Sequence, residues 1–152
     1  MGKPRVPAVE GWFTLDEAEP RLLGARCPRC RTVFFPRESF CRNPHCASRP
    51  DADAAELEEV PLSNRGRLWS YTSNHYAPPP PFVAKDPFAP FAVAAVELED
   101  ERMVVLGQVP EDVPLDRLEV GMEMRLVLDT LHEDDERTVL VWKWRPVAGE
   151  AR

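Results

Sequence analysis

The sequence lacks long apolar runs and several common catalytic motifs. No stretch of about 18 consecutive apolar residues occurs, which excludes a helix that could span a membrane. There is no Gly-rich phosphate-binding loop and no G-x-S-x-G nucleophile motif. The N-terminal stretch MGKPRVPAVEGWF has no apolar segment of the kind found in secretory signal peptides. We therefore expect a cytoplasmic protein without a membrane partner.

The chain has only four cysteines and three histidines, and the placement of the cysteines indicates a metal site. All four cysteines lie in CPRCRTVFFPRESFCRNPHC at 27–46, and a reducing location favours a metal site over disulfides. The spacing, C-x2-C followed by ten residues and C-x4-C, is typical of the two knuckles of a zinc ribbon. The predicted ligands are Cys27, Cys30, Cys41 and Cys46, with His45 as the alternative to Cys46.

The predicted role of the metal is structural. Four protein ligands leave no open coordination position for water or substrate, and the binding energy folds a segment too small to bury its own core. With all four thiols committed to Zn²⁺, no cysteine remains as a nucleophile, so we expect no catalytic activity from the chain alone. Iron is the alternative metal, because rubredoxin also uses two cysteine pairs, and it would make the chain an electron carrier.

The charge of the chain is unevenly distributed. Residues 1–49 carry nine Lys/Arg and five Asp/Glu, a net +4, whereas residues 50–152 carry ten and twenty-one, a net −11. Either the arginines near the cysteines face a phosphate-bearing ligand or an acidic partner, or they balance a negatively charged zinc–thiolate site. The acidic remainder argues against single-stranded nucleic-acid binding, which is kept as an alternative function. These arginines are Arg26, Arg29, Arg31, Arg37 and Arg42.

Beyond about Leu57 the apolar residues recur with period two, which predicts five strands. The acidic stretches 99–101 and 134–136 are expected to form turns, and 110–121 a single helical turn or short helix that Gly121 ends. This order fits an OB-fold barrel, with a five-stranded sandwich as the rival. Trp142 and Trp144 share one strand face, where core packing is expected. The predicted strands are 66–76, 90–100, 102–109, 122–132 and 138–147.

We divide the chain into three parts. Residues 1–20 are predicted as an N-terminal helical or otherwise ordered arm, 21–56 as the zinc ribbon and linker, and 57–152 as the barrel. Leu22, Leu23 and Ala25 predict a strand that enters the ribbon. The Pro-rich stretch 77–90 is stiff and flanked by phenylalanines, so it either docks onto another protein or folds over the barrel end. His75, before Tyr76, is either a ligand-contacting residue or an ordinary loop histidine.

Several short motifs occur in a fixed order along the chain. They are Gly11-Trp12-Phe13, Leu22-Leu23, Cys27-x2-Cys30, Phe35-Pro36-Arg37, Gly66 with Leu68-Trp69-Ser70-Tyr71, Pro90-Phe91-Ala92, Gly121-Met122 and Arg145-Pro146. In this order they resemble one known family: bacterial and archaeal proteins with a rubredoxin-like zinc ribbon and an OB-fold that accompany thiolase-like enzymes. The resemblance covers roughly residues 10–147, and the C-x4-C pair is wider than the family's commoner spacing.

The resemblance implies a non-catalytic partner of a thiolase-superfamily subunit acting on an acyl-CoA. The stretches DTLHEDDE and VWKWRP look most like the group that accompanies lipid-transfer-protein-like aldolases in steroid side-chain degradation. The resemblance further implies a heterotetramer with an acyl-CoA held at the subunit interface. We expect no nucleic-acid partner, because the acidic barrel segment would repel phosphates. The residues expected to contact the partner or CoA are Arg29, Arg31, Arg37, His75, Tyr76, Phe82 and Phe88.

Overall fold

A computed structural model describes residues 3–38, 41–46, 57–75 and 90–147 of the chain. Within these residues the regular secondary structure consists of strands and one short 3-10 turn, Leu115–Arg117. The strands are β1 Arg5–Pro7, β2 Leu23–Arg26, β3 Val33–Phe34, β4 Glu58–Pro61, β5 Arg65–Asn74, β6 Phe91–Leu98, β7 Val104–Gln108, β8 Glu123–Glu133 and β9 Thr138–Pro146.

Strands β5 to β9 form a closed barrel. Their hydrogen-bonded order is β9-β7-β6-β5-β8, and β8 also pairs with β9, which closes the sheet. The predicted strands match β5 to β9 to within two residues at each end. Closure through a parallel β7–β9 contact is the OB-fold arrangement, so the barrel prediction is confirmed over the sandwich.

The alternating sequence of the barrel strands sorts side chains between core and surface. On β8, Met124 and Leu126 are buried, whereas Arg125 between them points outward. The acidic turns 99–101 and 134–136 lie between paired strands, as predicted. The helical segment is limited to one 3-10 turn, with Pro114 at its N-cap, Leu118 at its C-cap and no side-chain cap hydrogen bond. The turn ends at Leu118, so the prediction that Gly121 ends it is wrong; Gly121, with φ +96°, lies three residues later in the approach to β8.

The N-terminal arm is ordered but not helical, which corrects one of the two forms predicted for it. Within residues 3–20 the only regular element is β1, which pairs in parallel with β9, and the Ala8 N–H donates to Leu140 O at 2.7 Å. Prolines at 4 and 7 lack backbone donors and favour an extended chain, which explains the absence of a helix there. Phe13 pairs with Leu22 and is only 4 % exposed.

The ribbon contains a small antiparallel sheet of order β3-β2-β4. Strand β2 was predicted from its apolar residues, whereas β3 and β4 were missed because one has two residues and the other is half acidic. Strand β4 lies at the start of the region assigned to the barrel, yet it pairs with β2.

One continuous core joins the arm, the ribbon and the barrel. Phe13, Leu22 and Leu62 pack in the same buried cluster as the barrel residues. Trp144 is fully buried and its Nε1–H donates to Val105 O at 3.2 Å, which confirms core packing for this residue. Among the described residues, no helix has the length and apolar character needed to cross a bilayer.

Candidate metal centre and barrel-end cavity

The four cysteine sulfurs converge on one point in the ribbon. All four Sγ atoms lie within 4.8 Å of one another, with 3.7 Å between Cys27 and Cys46 and 3.5 Å between Cys30 and Cys41. Four thiolates about 2.3 Å from a tetrahedral zinc ion would be separated by about 3.8 Å. The sulfurs are much too far apart for disulfides, in which S–S is about 2.05 Å. The four cysteines are therefore arranged to bind a tetrahedral metal ion such as Zn²⁺.

Tight turns present the cysteines in pairs. In the first knuckle the Arg31 N–H donates to Cys27 O and the Cys27 N–H donates to Thr32 O, both at 2.9 Å. Arg31 has a φ of 68°, in the left-handed region that favours glycine. In the second knuckle the Cys46 N–H donates to Asn43 O at 3.0 Å, so the wider C-x4-C spacing still closes a turn.

Two polar side chains that sequence reasoning missed connect the knuckles. The Thr32 hydroxyl lies 3.1 Å from Cys30 Sγ, and Asn43 Nδ2 donates to Thr32 Oγ1 at 2.9 Å. Asn43 Nδ2 also lies 3.7 Å from Cys30 Sγ. Such hydrogen bonds orient and stabilise a thiolate ligand. Their only signal in the sequence is the position of Thr32 and Asn43 two residues beyond a cysteine.

The pKa values of two of the thiols are shifted in opposite directions. Hydrogen bonding to Thr32 lowers the pKa of the Cys30 thiol, whereas burial raises the pKa of the Cys41 thiol to about 12. A buried thiol of this kind stays protonated at neutral pH unless a bound cation compensates the thiolate charge. A divalent metal would supply that charge.

His45 does not take part in this group. Its backbone N–H donates to Asn43 Oδ1 at 2.9 Å, and the residue is exposed. The sulfur group contains Cys46 instead. The arrangement therefore favours four cysteines over three cysteines and a histidine.

The arginines around the cysteines divide into two kinds. Three form ion pairs with carboxylates of the ribbon region: Arg37 with Glu59 at 3.1 Å, Arg26 with Glu58 at 3.4 Å and Arg42 with Glu38 at 3.4 Å. Arg29 and Arg31 are exposed on the first knuckle. The Arg31 side chain has no hydrogen bond or ion pair with any residue that the structure describes. Arg31 is thus the more available cation of the predicted set.

A cavity of about 490 Å³ opens at one end of the barrel. Its walls come from the ends of β5 and β6 and from the segment after β7, and they are mostly apolar, with Phe91, Val109 and Leu115 among them. His75 lies in this cavity, and its Nε2 is 2.9 Å from the Ser73 hydroxyl. This volume is within the range of small-molecule sites, and His75 and Ser73 supply convergent polar groups.

The predicted contact residues do not all lie at one site. Arg29, Arg31 and Arg37 lie in the ribbon, whereas His75 lies at the barrel end. Tyr76, Phe82 and Phe88 fall outside the described residues, as does the Pro-rich stretch up to residue 89.

Two parts of the chain match known domain families. Residues 16–51 match the model described as the ChsH2 rubredoxin-like zinc ribbon domain, and residues 59–129 match that of the ChsH2 C-terminal OB-fold domain. A DUF35 domain-containing scaffold protein of Methanocaldococcus jannaschii is 32 % identical over 143 residues, which cover 91 % of this chain and 90 % of the relative.

Two further similarities involve proteins named for enzymes. The benzoylsuccinyl-CoA thiolase subunit BbsA of Thauera aromatica is 39 % identical over 59 residues, 39 % of this chain and 35 % of that protein. A chain of the solved structure entitled Ltp2-ChsH2(DUF35) aldolase superposes with a TM-score of 0.54 and 31 % identity, covering 83 % of this chain and 84 % of the other.

Proposed function

This chain belongs to the family of DUF35 domain-containing scaffold proteins with a ChsH2-type zinc ribbon and OB-fold, and we propose that it is the non-catalytic accessory subunit of a thiolase-like enzyme. The proposed partner is of the lipid-transfer-protein type. The chain would support its retro-aldol or thiolytic cleavage of a C–C bond in an acyl-CoA thioester during steroid or lipid degradation. The complex is proposed to be a heterotetramer.

The observation that carries this proposal is the likeness, over most of both chains, to a chain of the Ltp2-ChsH2(DUF35) aldolase. The sulfur cluster supports it, because an ion enclosed by four thiolates has no position for substrate and serves to fold the ribbon. Zn²⁺ would be held by Cys27, Cys30, Cys41 and Cys46. The aromatic contacts of Trp142 with Trp12 of the arm and Phe35 of the ribbon would then hold the ribbon against the barrel for docking.

A finer proposal concerns the CoA thioester. The apolar cavity at the barrel end can take part of an acyl or pantetheine chain, and His75 can donate a hydrogen bond to a thioester or phosphate oxygen there. Arg29 and Arg31 would contact CoA phosphates or partner carboxylates from the ribbon. His75→Ala should raise the KM of the complex for its acyl-CoA about tenfold, the loss of one hydrogen bond to a charged or polarised group. His132→Ala is the matched control, because His132 lies on β8 outside the cavity.

The proposal is tested by co-expressing the chain with the thiolase homologue encoded in the same genome. We expect the two to co-elute as a complex of two copies of each, and the homologue to lose solubility or activity when expressed alone. A homologue that is stable and fully active without this chain, and does not bind it, would contradict the proposal.

A further inference from the structure

Three arginines lie side by side on the outer face of the barrel. Arg125, near the start of β8, is opposite Arg65 of β5 on one side and opposite Arg145 of β9 on the other. The inward residues beside them on these strands, Met124 and Trp144, are fully buried, so the arginines share the outer surface. Like charges directly opposite one another across paired strands are destabilising. A contribution to folding stability therefore does not explain why three arginines lie side by side here.

The flanking arginines are neutralised within the chain, but the central one is not. Arg65 pairs with Glu123 at 3.1 Å, and Arg145 forms two hydrogen bonds with Asp112, at 3.1 and 2.9 Å. Hydrogen bonding to Arg145 lowers the pKa of the Asp112 carboxyl, so this pair is charged at neutral pH. Arg125 is half-buried, and its side chain has no hydrogen bond or ion pair with any described residue. The row of three guanidiniums and two carboxylates thus keeps one unmatched positive charge.

An exposed tryptophan follows these arginines along β5. Arg65 and Arg67 alternate with the buried Gly66 and Leu68, so both point outward, and Trp69 comes next, at a β-bulge in the pairing with β6. Trp69 is 62 % exposed, the largest such fraction of any tryptophan or tyrosine in the described residues. Arg67 Nη1 donates to Gly121 O at 3.2 Å, which ties the segment before β8 to this surface.

We propose that this surface, the Arg–Trp face formed by Arg65, Arg67, Trp69, Arg125 and Arg145, binds an acidic patch of the thiolase-like subunit, with Arg125 donating hydrogen bonds to a carboxylate of that subunit. The inference rests on the proposed function, because it locates the surface through which the subunit is bound. Tryptophan and arginine are the residues most enriched among energetically dominant interface contacts.

The shape and charge of the Arg–Trp face favour a protein over a small ligand. It is the outer surface of a sheet, whereas the barrel-end cavity lies at the opposite end of β5, lined by Ser73 and His75. Small ligands bind in concave sites, and broad convex surfaces suit another protein. Positive charge on a chain of net charge −7 would also orient an acidic partner toward this face.

The test measures the affinity of the full chain for the thiolase homologue of the same genome. Arg125→Glu and Trp69→Ser should each raise the Kd about 30-fold, and Arg125→Gln should raise it about tenfold. Two matched controls should change the Kd by less than about threefold. Arg137→Glu makes the same charge change in the turn at the far end of β8, and Val9→Ser removes an apolar side chain that is 37 % exposed just after β1, which pairs with the end of β9 far from Arg145.

A second measurement separates docking from folding. Because Arg125→Gln removes repulsion within the row, it should raise the Tm of the isolated chain by about 1–3 °C while it weakens the complex. A lower Tm would show that Arg125 stabilises the barrel, and would overturn the inference.

If the wild-type chain does not bind the homologue, the proposed function fails. If it binds and the Arg125→Glu and Trp69→Ser variants bind like the controls, the function stands and the Arg–Trp face is not the interface. Micromolar binding of a labelled oligothymidine that Arg125→Glu abolishes would make the face a nucleic-acid site and would overturn the inference.

Discussion

The indole of Trp142, on the last barrel strand, meets the ring of Phe35 in the ribbon edge-on, with ring centroids 5.9 Å apart. Trp12 and Phe13 of the arm contact the same indole, at 6.1 and 5.5 Å. Trp142 Nε1–H also donates to Leu106 O at 3.0 Å. One side chain therefore joins the arm, the ribbon and the barrel, and the three should unfold as a single cooperative unit.

Trp142→Ala tests this junction. We expect it to lower the free energy of unfolding by about 3 kcal/mol, at the lower end of the cost for truncating a packed tryptophan, because Trp142 is only partly buried. Trp69→Ala is the matched control and should cost less than about 0.5 kcal/mol, since Trp69 is 62 % exposed. Urea denaturation followed by circular dichroism would measure both. Equal losses in the two variants would contradict the assignment of Trp142 as the junction.

Metal removal should unfold the ribbon. The wild-type chain should contain about one zinc ion, and Cys46→Ser should abolish stoichiometric binding while His45→Ala preserves it. Because Phe13, Leu22 and Leu62 share the barrel's core, loss of the metal should also lower the Tm of the whole chain. Elemental analysis and thermal denaturation give the two readouts. Zinc retained by Cys46→Ser but lost by His45→Ala would reverse the ligand assignment, and a coloured, iron-containing protein would revive the electron-carrier alternative.

The left-handed backbone at Arg31 predicts a stabilising substitution. A residue with a Cβ atom pays about 1–2 kcal/mol in this conformation, whereas glycine does not. Arg31→Gly should therefore raise the free energy of unfolding of the zinc-loaded chain by about 1 kcal/mol. Arg31→Ala removes the same charge but keeps the Cβ, so it should gain nothing.

The difference between the two variants, measured by chemical denaturation, isolates the backbone contribution. If alanine stabilises the chain as much as glycine, the cost at Arg31 lies in its charge and the conformational argument is wrong.

The sequence predicted the barrel well because period-two alternation of apolar and polar residues is a local signal, as at the start of β8, where the buried Met124 and Leu126 alternate with the half-buried Glu123 and Arg125. The cysteine spacing likewise predicted a metal site without reference to the rest of the chain. The helical form, one of the two predicted for the N-terminal arm, shows the limit of local reasoning. Trp12 and Phe13 indicated an ordered segment, but the pairing of β1 with β9 depends on residues more than a hundred positions away.

Features that depend on the register between distant strands could not be predicted. Arg65, Arg125 and Arg145 form a row only because β5, β8 and β9 pair in one particular alignment. The same holds for Asn43, which reaches Thr32 across the two knuckles. The contact residues proposed from family resemblance at 76, 82 and 88 lie outside the described residues and remain predictions.

The most direct test of the account is a titration of the thiolase homologue with this chain while acyl-CoA cleavage is measured. The account predicts no turnover by the isolated chain, and a rate that rises and saturates at one chain per thiolase-like subunit. Turnover by the chain alone, or a thiolase rate that does not change on its addition, would contradict the claim that it acts as a non-catalytic accessory subunit.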